Sequence, residues 1–403
     1  MSGADSLASG ALDPAERFAR LRLARSPGIG PKSHAKLLAR FGSARAAVEA
    51  LPGLLATGRW PGLELAPEAA VERERAAIEA AGVQLLLAGE PAYPTRLAAL
   101  ADAPPVLLVR GSVELLRAPS VAVVGARNAS THGRLLAAQM ARALAAAGLV
   151  VVSGLARGID TAAHEGALEG PGSTVAVLAS GVDRAYPEEN AALLERIAQA
   201  GCAVSERPLG AEPQARHFPR RNRIIAGLAL AVLVVEAAPA SGSLITARLA
   251  LEAGREVMAV PGSPLDPRHQ GTNKLLREGA HLVESAADVL AVLGAISREH
   301  PPPRGRQRGG RRVRRPSAEA GPTRAEAGPA RPAAESSPPA GPAGLERVAE
   351  RVWAGLGPEP VAIDDLVREC QVSAAVVHDA VLELELAGRI ERHPGNRVAR
   401  KPG

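Results

Sequence analysis

Aromatic rings are scarce in this chain. They make up 2% of it, and all seven are Phe18, Phe41, Phe218, Trp60, Trp353, Tyr93 and Tyr186. A binding face built from many stacked rings is all but excluded by that count. Cysteine is limited to Cys202 and Cys370, with no partner at metal-ligand spacing. A Cys-ligated zinc site and a disulfide framework are therefore excluded, and a reducing, cytoplasmic setting is expected. Residues 1–10 lack the basic-then-apolar pattern of a secretory signal. The longest apolar run, residues 228–235, stops at Glu236 and falls far short of a membrane span. Lysine is also rare, with Lys32, Lys36, Lys274 and Lys401 as its only four occurrences, so nearly all positive charge is arginine.

What remains is globular material. The chain has 403 residues, 46% hydrophobic and 22% charged. At about 150 residues per domain, that predicts two to three domains. The net charge of +6 is unevenly spread. Residues 298–324 hold nine Arg and two Glu and so carry +7, leaving about −1 for everything else. The basic character is a property of one segment.

Four segments follow from composition and periodicity. Residues 11–83 read as helices with Gly/Pro breaks. Within them, Pro27-Gly28-Ile29-Gly30-Pro31-Lys32 lies between apolar stripes, the pattern of a helix-hairpin-helix. Gly28 and Gly30 would let backbone N–H groups approach a phosphate, and Lys32 would add charge. The same glycines also suit a small helical bundle that needs only a tight turn. Residues 84–295 alternate short Val/Leu-rich runs with Ala-rich helical stretches; the runs are 106–109, 121–124, 149–152, 174–179, 202–205, 231–236, 256–260 and 281–283. Continuous apolar strands separated by helices indicate a sheet, largely parallel, buried on both faces: a doubly wound α/β domain. Residues 296–343, rich in Arg, Pro, Gly and Ala, show no apolar period and read as a disordered linker. Residues 344–400 return to order as three helices, the third capped by Ser373 and stopped by Gly388, followed by a hairpin around His393-Pro394-Gly395-Asn396. Three helices and a hairpin make a winged helix. The third helix carries Asp379, Glu383 and Glu385 and neither Lys nor Arg, so it is not expected to read a duplex major groove. A protein contact suits it better, with Arg389, Arg392, Arg397 and Arg400 left to touch a backbone.

In open α/β sheets, ligands bind beyond the carboxyl ends of the strands. Small residues recur at those ends here, each just before a helix: Gly125-Ala126-Arg127-Asn128, then Ser153-Gly154-Leu155-Ala156-Arg157-Gly158, then Ser241-Gly242-Ser243. Such loops present backbone N–H groups to an anion. Phe218-Pro219-Arg220-Arg221-Asn222-Arg223 places three arginines just ahead of an apolar helix. Guanidinium forks suit phosphate oxygens, but one or two of these arginines are expected to pair with carboxylates such as Glu206 or Asp183. Asp160 and His164, one helical turn apart, read as an acid–base pair or half a metal site or, more simply, as a helix-capping carboxylate and an imidazole hydrogen-bonded inside the fold. The chain has no G-x-G-x-x-G, no P-loop and no G-x-S-x-G elbow. No cofactor, metal or assembled nucleophile–base set is expected.

Read in order, these motifs, together with Tyr93-Pro94, Asp102-Ala103-Pro104-Pro105, Gly181-Val182-Asp183, Tyr186-Pro187, Ser205-Glu206 and Val260-Pro261-Gly262, closely resemble the DNA-processing protein A (DprA/Smf) family. The resemblance runs from about residue 21 to 293, and the tail resembles the winged helix that many members carry. It implies an extended Rossmann-like domain after a helix-hairpin-helix (SAM-like) domain. It also implies a homodimer that binds single-stranded DNA without cutting it, protects incoming DNA during natural transformation and loads the RecA recombinase. Carried over by position, the candidate DNA contacts are Gly125, Arg127, Ser153, Gly154, Arg157, Arg220, Arg221, Asn222, Arg223, Ser241, Gly242 and Ser243, with Gly28, Gly30 and Lys32 as accessory contacts. Ala126 departs from the family's usual Ser. The competing reading is a nucleotide-processing enzyme similar to the lysine-decarboxylase-like phosphoribohydrolases. Their motif carries a catalytic glutamate where this chain has Thr246.

Overall fold

The computed structural model describes residues 12–56, 63–170, 173–299, 342–357, 360–370, 372, 374–393 and 397–401. Most of the expected linker, the expected cap Ser373 and the turn at residues 394–396 lie outside the described residues. The chain divides into two compact units, one holding the N-terminal helices and the large sheet, the other the C-terminal domain.

The N-terminal helices form where local signals place them. Helix α1 (Pro14–Arg25) starts at Asp13, whose carboxylate accepts from the Glu16 amide at 2.9 Å, with Pro14 in the first turn. The chain then turns through Gly28, at φ 83°, into α2 (Pro31–Phe41), which stops at Gly42 in the left-handed region. Helices α3 (Ala44–Ala56) and α4 (Glu68–Ala80) follow. Leu23, Ile29, Leu37, Ala47 and Leu51 close a small core of their own around the hairpin.

The sheet domain then runs as β1 (Gln84–Leu87), α5 (Thr95–Ala98), β2 (Val106–Gly111), β3 (Ser120–Val124), α6 (Thr131–Ala146), β4 (Val150–Ser153), α7 (Ile159–Leu168) and β5 (Thr174–Val177). It continues through α8 (Ala191–Ala200), β6 (Cys202–Ser205), α9 (His217–Leu228), β7 (Ala231–Val234), α10 (Gly242–Glu252), β8 (Glu256–Ala259), α11 (Gln270–Arg277), β9 (His281–Leu282) and α12 (Ala286–Glu299). The nine strands lie in the order β1-β2-β6-β5-β4-β3-β7-β8-β9. Every pairing from β6 to β9 is parallel, whereas β1–β2 and β2–β6 are antiparallel, so the sheet is mixed. Successive residues face opposite layers. Val121 and Val123 pack with α6, α7 and α12, while Ala122 and Val124 pack with α9 and α10. Burial on both faces is why these strands read as unbroken apolar runs.

Strand β1 lies outside the runs read from sequence. Its four residues follow directly on α4, and its half-exposed pattern carries little strand signal. It is nonetheless paired along its length, from Gln84 opposite Val109 to Leu87 opposite Val106. The C-terminal unit holds α13 (Pro342–Gly355), β10 (Val361–Ala362), α14 (Ile363–Cys370), α15 (Ala374–Leu386), β11 (Ile390–His393) and β12 (Arg397–Arg400). Its three short strands, ordered β10-β12-β11, and its core of Val352, Ile363, Leu366, Val377, Val381 and Val398 make a winged helix.

The sheet's centre carries the domain's stability. Leu233 on β7 has no exposed surface. Leu233→Ala is expected to destabilise the domain by about 2–5 kcal/mol, read as a lowered midpoint in denaturant unfolding.

Candidate nucleic-acid interface

Strands β3 to β6 step in one direction across the sheet, and β7 returns to the other side of β3. The reversal leaves a crevice beyond the carboxyl ends of β3 and β7, the place where open α/β sheets hold ligands. A cavity of about 580 Å³ sits there. Its walls are the loop after β3 (Gly125 to Asn128), Ala156 and Asp160 from the β4–α7 connection, the first turn of α9, and the first turn of α10. Three helices thus direct their amino ends at one space, and the partial positive charge there favours an anion. At α10 the cap is Ser241, whose hydroxyl lies 2.7 Å from that of Ser243; both hydroxyls line the cavity.

Arg127 is exposed and, among the described residues, has no carboxylate partner. Its guanidinium carbon lies 5.0 Å from the centre of the Phe218 ring. Phe218 in turn packs against Tyr186, with ring centres 5.4 Å apart, and Tyr186 is 47% exposed. Phe218, which lines the crevice, therefore stands beside Arg127 with a second ring, Tyr186, packed against it. Ring scarcity in the whole chain hid that local pairing. Phe218 and Tyr186 belong to recognisable motifs, and their adjacency depends on the fold.

Arg221 behaves differently. It is 5% exposed, and its Nη1 donates to the carbonyls of Gly154 and Val177, both at 2.5 Å, while its Nε donates to Asn222 Oδ1 at 3.2 Å. Burial pushes its pKa down to about 10, against the pull of Asp160. Gly154 must be glycine for this, because a Cβ there would fall on the guanidinium. Asn222 Nδ2 donates to the Gly242 carbonyl at 3.2 Å and ties α9 to α10. Asp160 accepts from the amides of Gly154 at 3.2 Å and Ala156 at 3.4 Å. Burial raises its pKa, and Arg221 and those amides oppose the rise. His164 takes the Leu155 amide on Nε2 at 3.3 Å and sets Nδ1 2.7 Å from the Thr174 hydroxyl, which donates to Val151 O. That network fits a neutral ring with its proton on Nδ1. The simpler sequence reading holds for His164, which is bonded inside the fold; Asp160 does not cap α7, whose N-cap is Gly158, and instead accepts from the loop amides of Gly154 and Ala156.

The remaining candidates scatter. The Ser153 hydroxyl is buried and donates to Val123 O at 2.7 Å. Arg157 is exposed outside the crevice, 4.0 Å from Glu189. Arg223 pairs with Glu206 at 2.6 Å and Asp102 at 3.2 Å, as the sequence suggested for Glu206; Asp183 instead accepts from the Gly210 amide at 3.0 Å. Arg220 and Arg223 line a second groove, together with Gly30 and Lys32 of the hairpin. Gly28 is exposed in the turn just before them. Asn128, Thr246 and Arg268 line the crevice without having been singled out as contacts. Arg268 is held by Asp266 at 2.8 Å. In the winged helix, Arg389 and Arg400 stack on Trp353 at 4.1 and 4.4 Å, and Arg397 is exposed.

Fold and site define a class: a doubly wound α/β domain with a crevice at its switch point, preceded by a helix-hairpin-helix and accompanied by a winged helix. The family model described as DNA recombination-mediator protein A matches residues 84–294, a DprA-like N-terminal HHH domain matches 14–77, and a DprA winged helix domain matches 335–396. The chain belongs to the DNA recombination-mediator protein A (DprA) family. It is 36% identical over 340 residues to Protein Smf of Synechocystis sp., spanning 79% of this chain and 80% of that protein. It is 48% identical over 199 residues to DNA processing protein DprA of Streptococcus pneumoniae, spanning 49% of this chain and 70% of that one. The X-ray structure of the pneumococcal DprA matches at TM-score 0.59 and 34% identity, covering 70% of this chain and 98% of that chain.

Burial pushes the His164 pKa down to about 3, whereas an unfolded histidine titrates near ~6.5. Below that value the unfolded chain takes up a proton that the native ring refuses. Stability present above ~6.5 is then lost as the pH falls toward 3, by up to about 1.4 kcal/mol per pH unit. His164→Gln should flatten this part of the profile in denaturant unfolding compared between about pH 6.5 and 4.5.

Proposed function

We propose that this chain is a nonenzymatic single-stranded DNA-binding protein that protects incoming DNA and loads RecA recombinase in natural transformation and homologous recombination, working as a homodimer. The observation that carries the binding reading is the unpaired guanidinium of Arg127, exposed at a crevice onto which three helix amino ends converge. A flexible strand can fold its phosphates into such a crevice. A duplex holds its phosphates on a stiff convex surface and cannot. Gly125, Ser241, Gly242 and Ser243 would supply amides and hydroxyls, Arg127 the charge, and Phe218 with Tyr186 a stacking surface for a base. Arg221, Asn222, Ser153 and Gly154 would shape the crevice from beneath.

The nonenzymatic part is supported by where the carboxylates are. Asp160 is the only carboxylate lining the crevice among the described residues, and backbone amides and Arg221 hold it. The nearby Glu236 is 1% exposed and is taken up by the amide and hydroxyl of Ser130. Thr246 faces the crevice where a phosphoribohydrolase would need its glutamate. The RecA and transformation parts follow the family's character as recombination mediators and the DNA-processing names of the relatives. Helix α15 brings no Lys or Arg, and Arg389 and Arg400 are engaged with Trp353. The winged helix is therefore assigned to a protein contact.

Titrating labelled oligo-dT against salt tests the binding. Three to five neutralised phosphates give a log–log slope of about −2 to −3.5, at roughly 0.7 each. Arg127→Ala should weaken binding and reduce the slope. A slope near zero, or cleavage of the strand, sinks the proposal. Tyr186→Ala should cost about 1–3 kcal/mol of binding in the same titration if the ring stacks on a base, and nothing if it does not.

A further inference from the structure

Helix α9 separates two cavities. Phe218, Arg221 and Asn222 face the switch-point crevice, while Arg220 and Arg223, three positions apart on the helix, line a groove of about 380 Å³ on its other side. The far wall of that groove is the helix-hairpin-helix turn, with Gly30 and Lys32 at the start of α2. Five cationic side chains line the groove against two carboxylates. Both carboxylates, Glu206 and Asp102, bond to the one Arg223.

Three observations indicate that the groove is short of an anion. Arg207 and Arg220 have no hydrogen bond or ion pair on their guanidinium groups among the described residues, although both line the groove. Arg207 has its pKa lowered by burial first, with the charges of Arg220, Arg25 and Arg216 adding to the effect against Glu206; like charges crowd here. Arg223 is 7% exposed and its Nη1 is buried without a partner. Leaving a charged donor unsatisfied is unfavourable, and an incoming acceptor reverses that. The amino end of α2 adds its dipole at the same groove, and its cap, Gly30, offers no side chain to occupy it.

We propose that this groove is a second phosphate site, which takes the backbone of the same single strand after it crosses the amino end of α9. The inference rests on the binding proposed for the crevice and extends it. The strand runs from Arg127, over Arg220, to Arg207 and the hairpin turn. The helix-hairpin-helix then acts as one wall of a DNA channel whose other wall is the sheet domain. Only strands long enough to leave the crevice reach the groove.

The test is the double variant Arg207→Ala/Arg220→Ala of the full chain, titrated across salt with oligo-dT of roughly 4 to 16 nucleotides. The expected result is unchanged binding of the shortest strand that wild-type protein holds, together with a log–log slope reduced by about 1.4 on the longest, for two lost phosphates. An unfolding midpoint equal to wild type excludes a loss caused by misfolding. Wild-type binding with the same slope and affinity in the variant at every length overturns the groove and leaves the crevice standing. An equal loss at every length also overturns it, since the groove would then not be a separate site. No binding by wild-type protein even at low salt overturns both.

Discussion

The crevice depends on one buried cation. Arg221 reaches from α9 to the carbonyls of Gly154, at the end of β4, and Val177, at the end of β5. It therefore fixes the helix against two strand ends at once. Desolvating a guanidinium is unfavourable unless its donors are matched, and here two carbonyls, an amide oxygen and the nearby Asp160 supply the match. Asp160 in turn gathers the amides of the β4–α7 loop. The loop needs Leu155 at φ 56° and Gly158 at φ 81° to make this turn. A Cβ on Gly158 would also meet the carbonyls of Ala126 and Arg127, so the two loops that form one wall are in contact. Backbone strain at Leu155 is held in place by complete burial of its side chain. Removing the Arg221 fork would release α9, this loop and the support beneath Arg127 together.

Much of this was legible in the chain itself. Parallel strands buried on both faces must be apolar at every position, so residues 121–124, 202–205 and 231–236 stand out without alternation. Small residues marked the strand ends where the crevice lies, at Gly125 and Gly242, whereas Gly154 leaves room for the Arg221 guanidinium. The strand order was not legible. Nothing local in residues 231–234 says that this strand returns to the far side of β3, and that return is what creates the crevice. The edge strand β1 was missed for a related reason, since four residues, only the last two of them buried, owe their conformation to pairing with β2.

The arginine run shows where residue type stops being informative. Arg220, Arg221 and Arg223 are chemically identical and adjacent, yet one is exposed at a groove, one is sealed beneath a crevice and one is shared by two carboxylates. The helical period separates them once α9 is known to begin at His217. Which face meets the sheet and which meets the hairpin is a property of packing. Sequence spacing located the charge, and the fold decided which of it can reach a ligand. The aromatic residues follow the same rule: a chain with seven rings has few to spare, but Phe218 and Tyr186 are 5.4 Å apart beside Arg127.

The cationic groups at the crevice hold their charge independently of pH near neutrality. Guanidinium groups stay charged across the neutral range, and helix amino ends carry a fixed partial charge. Two titratable groups of the β4–α7 segment are taken up by the fold: His164 is bonded on both nitrogens, and Asp160 is folded under amides. General acid–base chemistry needs a group able to exchange a proton with a substrate at the working pH, and neither residue presents one. In the proposed function, binding would be governed by ionic strength rather than by pH. Such binding would suit the proposed role of holding a strand intact and then giving it up.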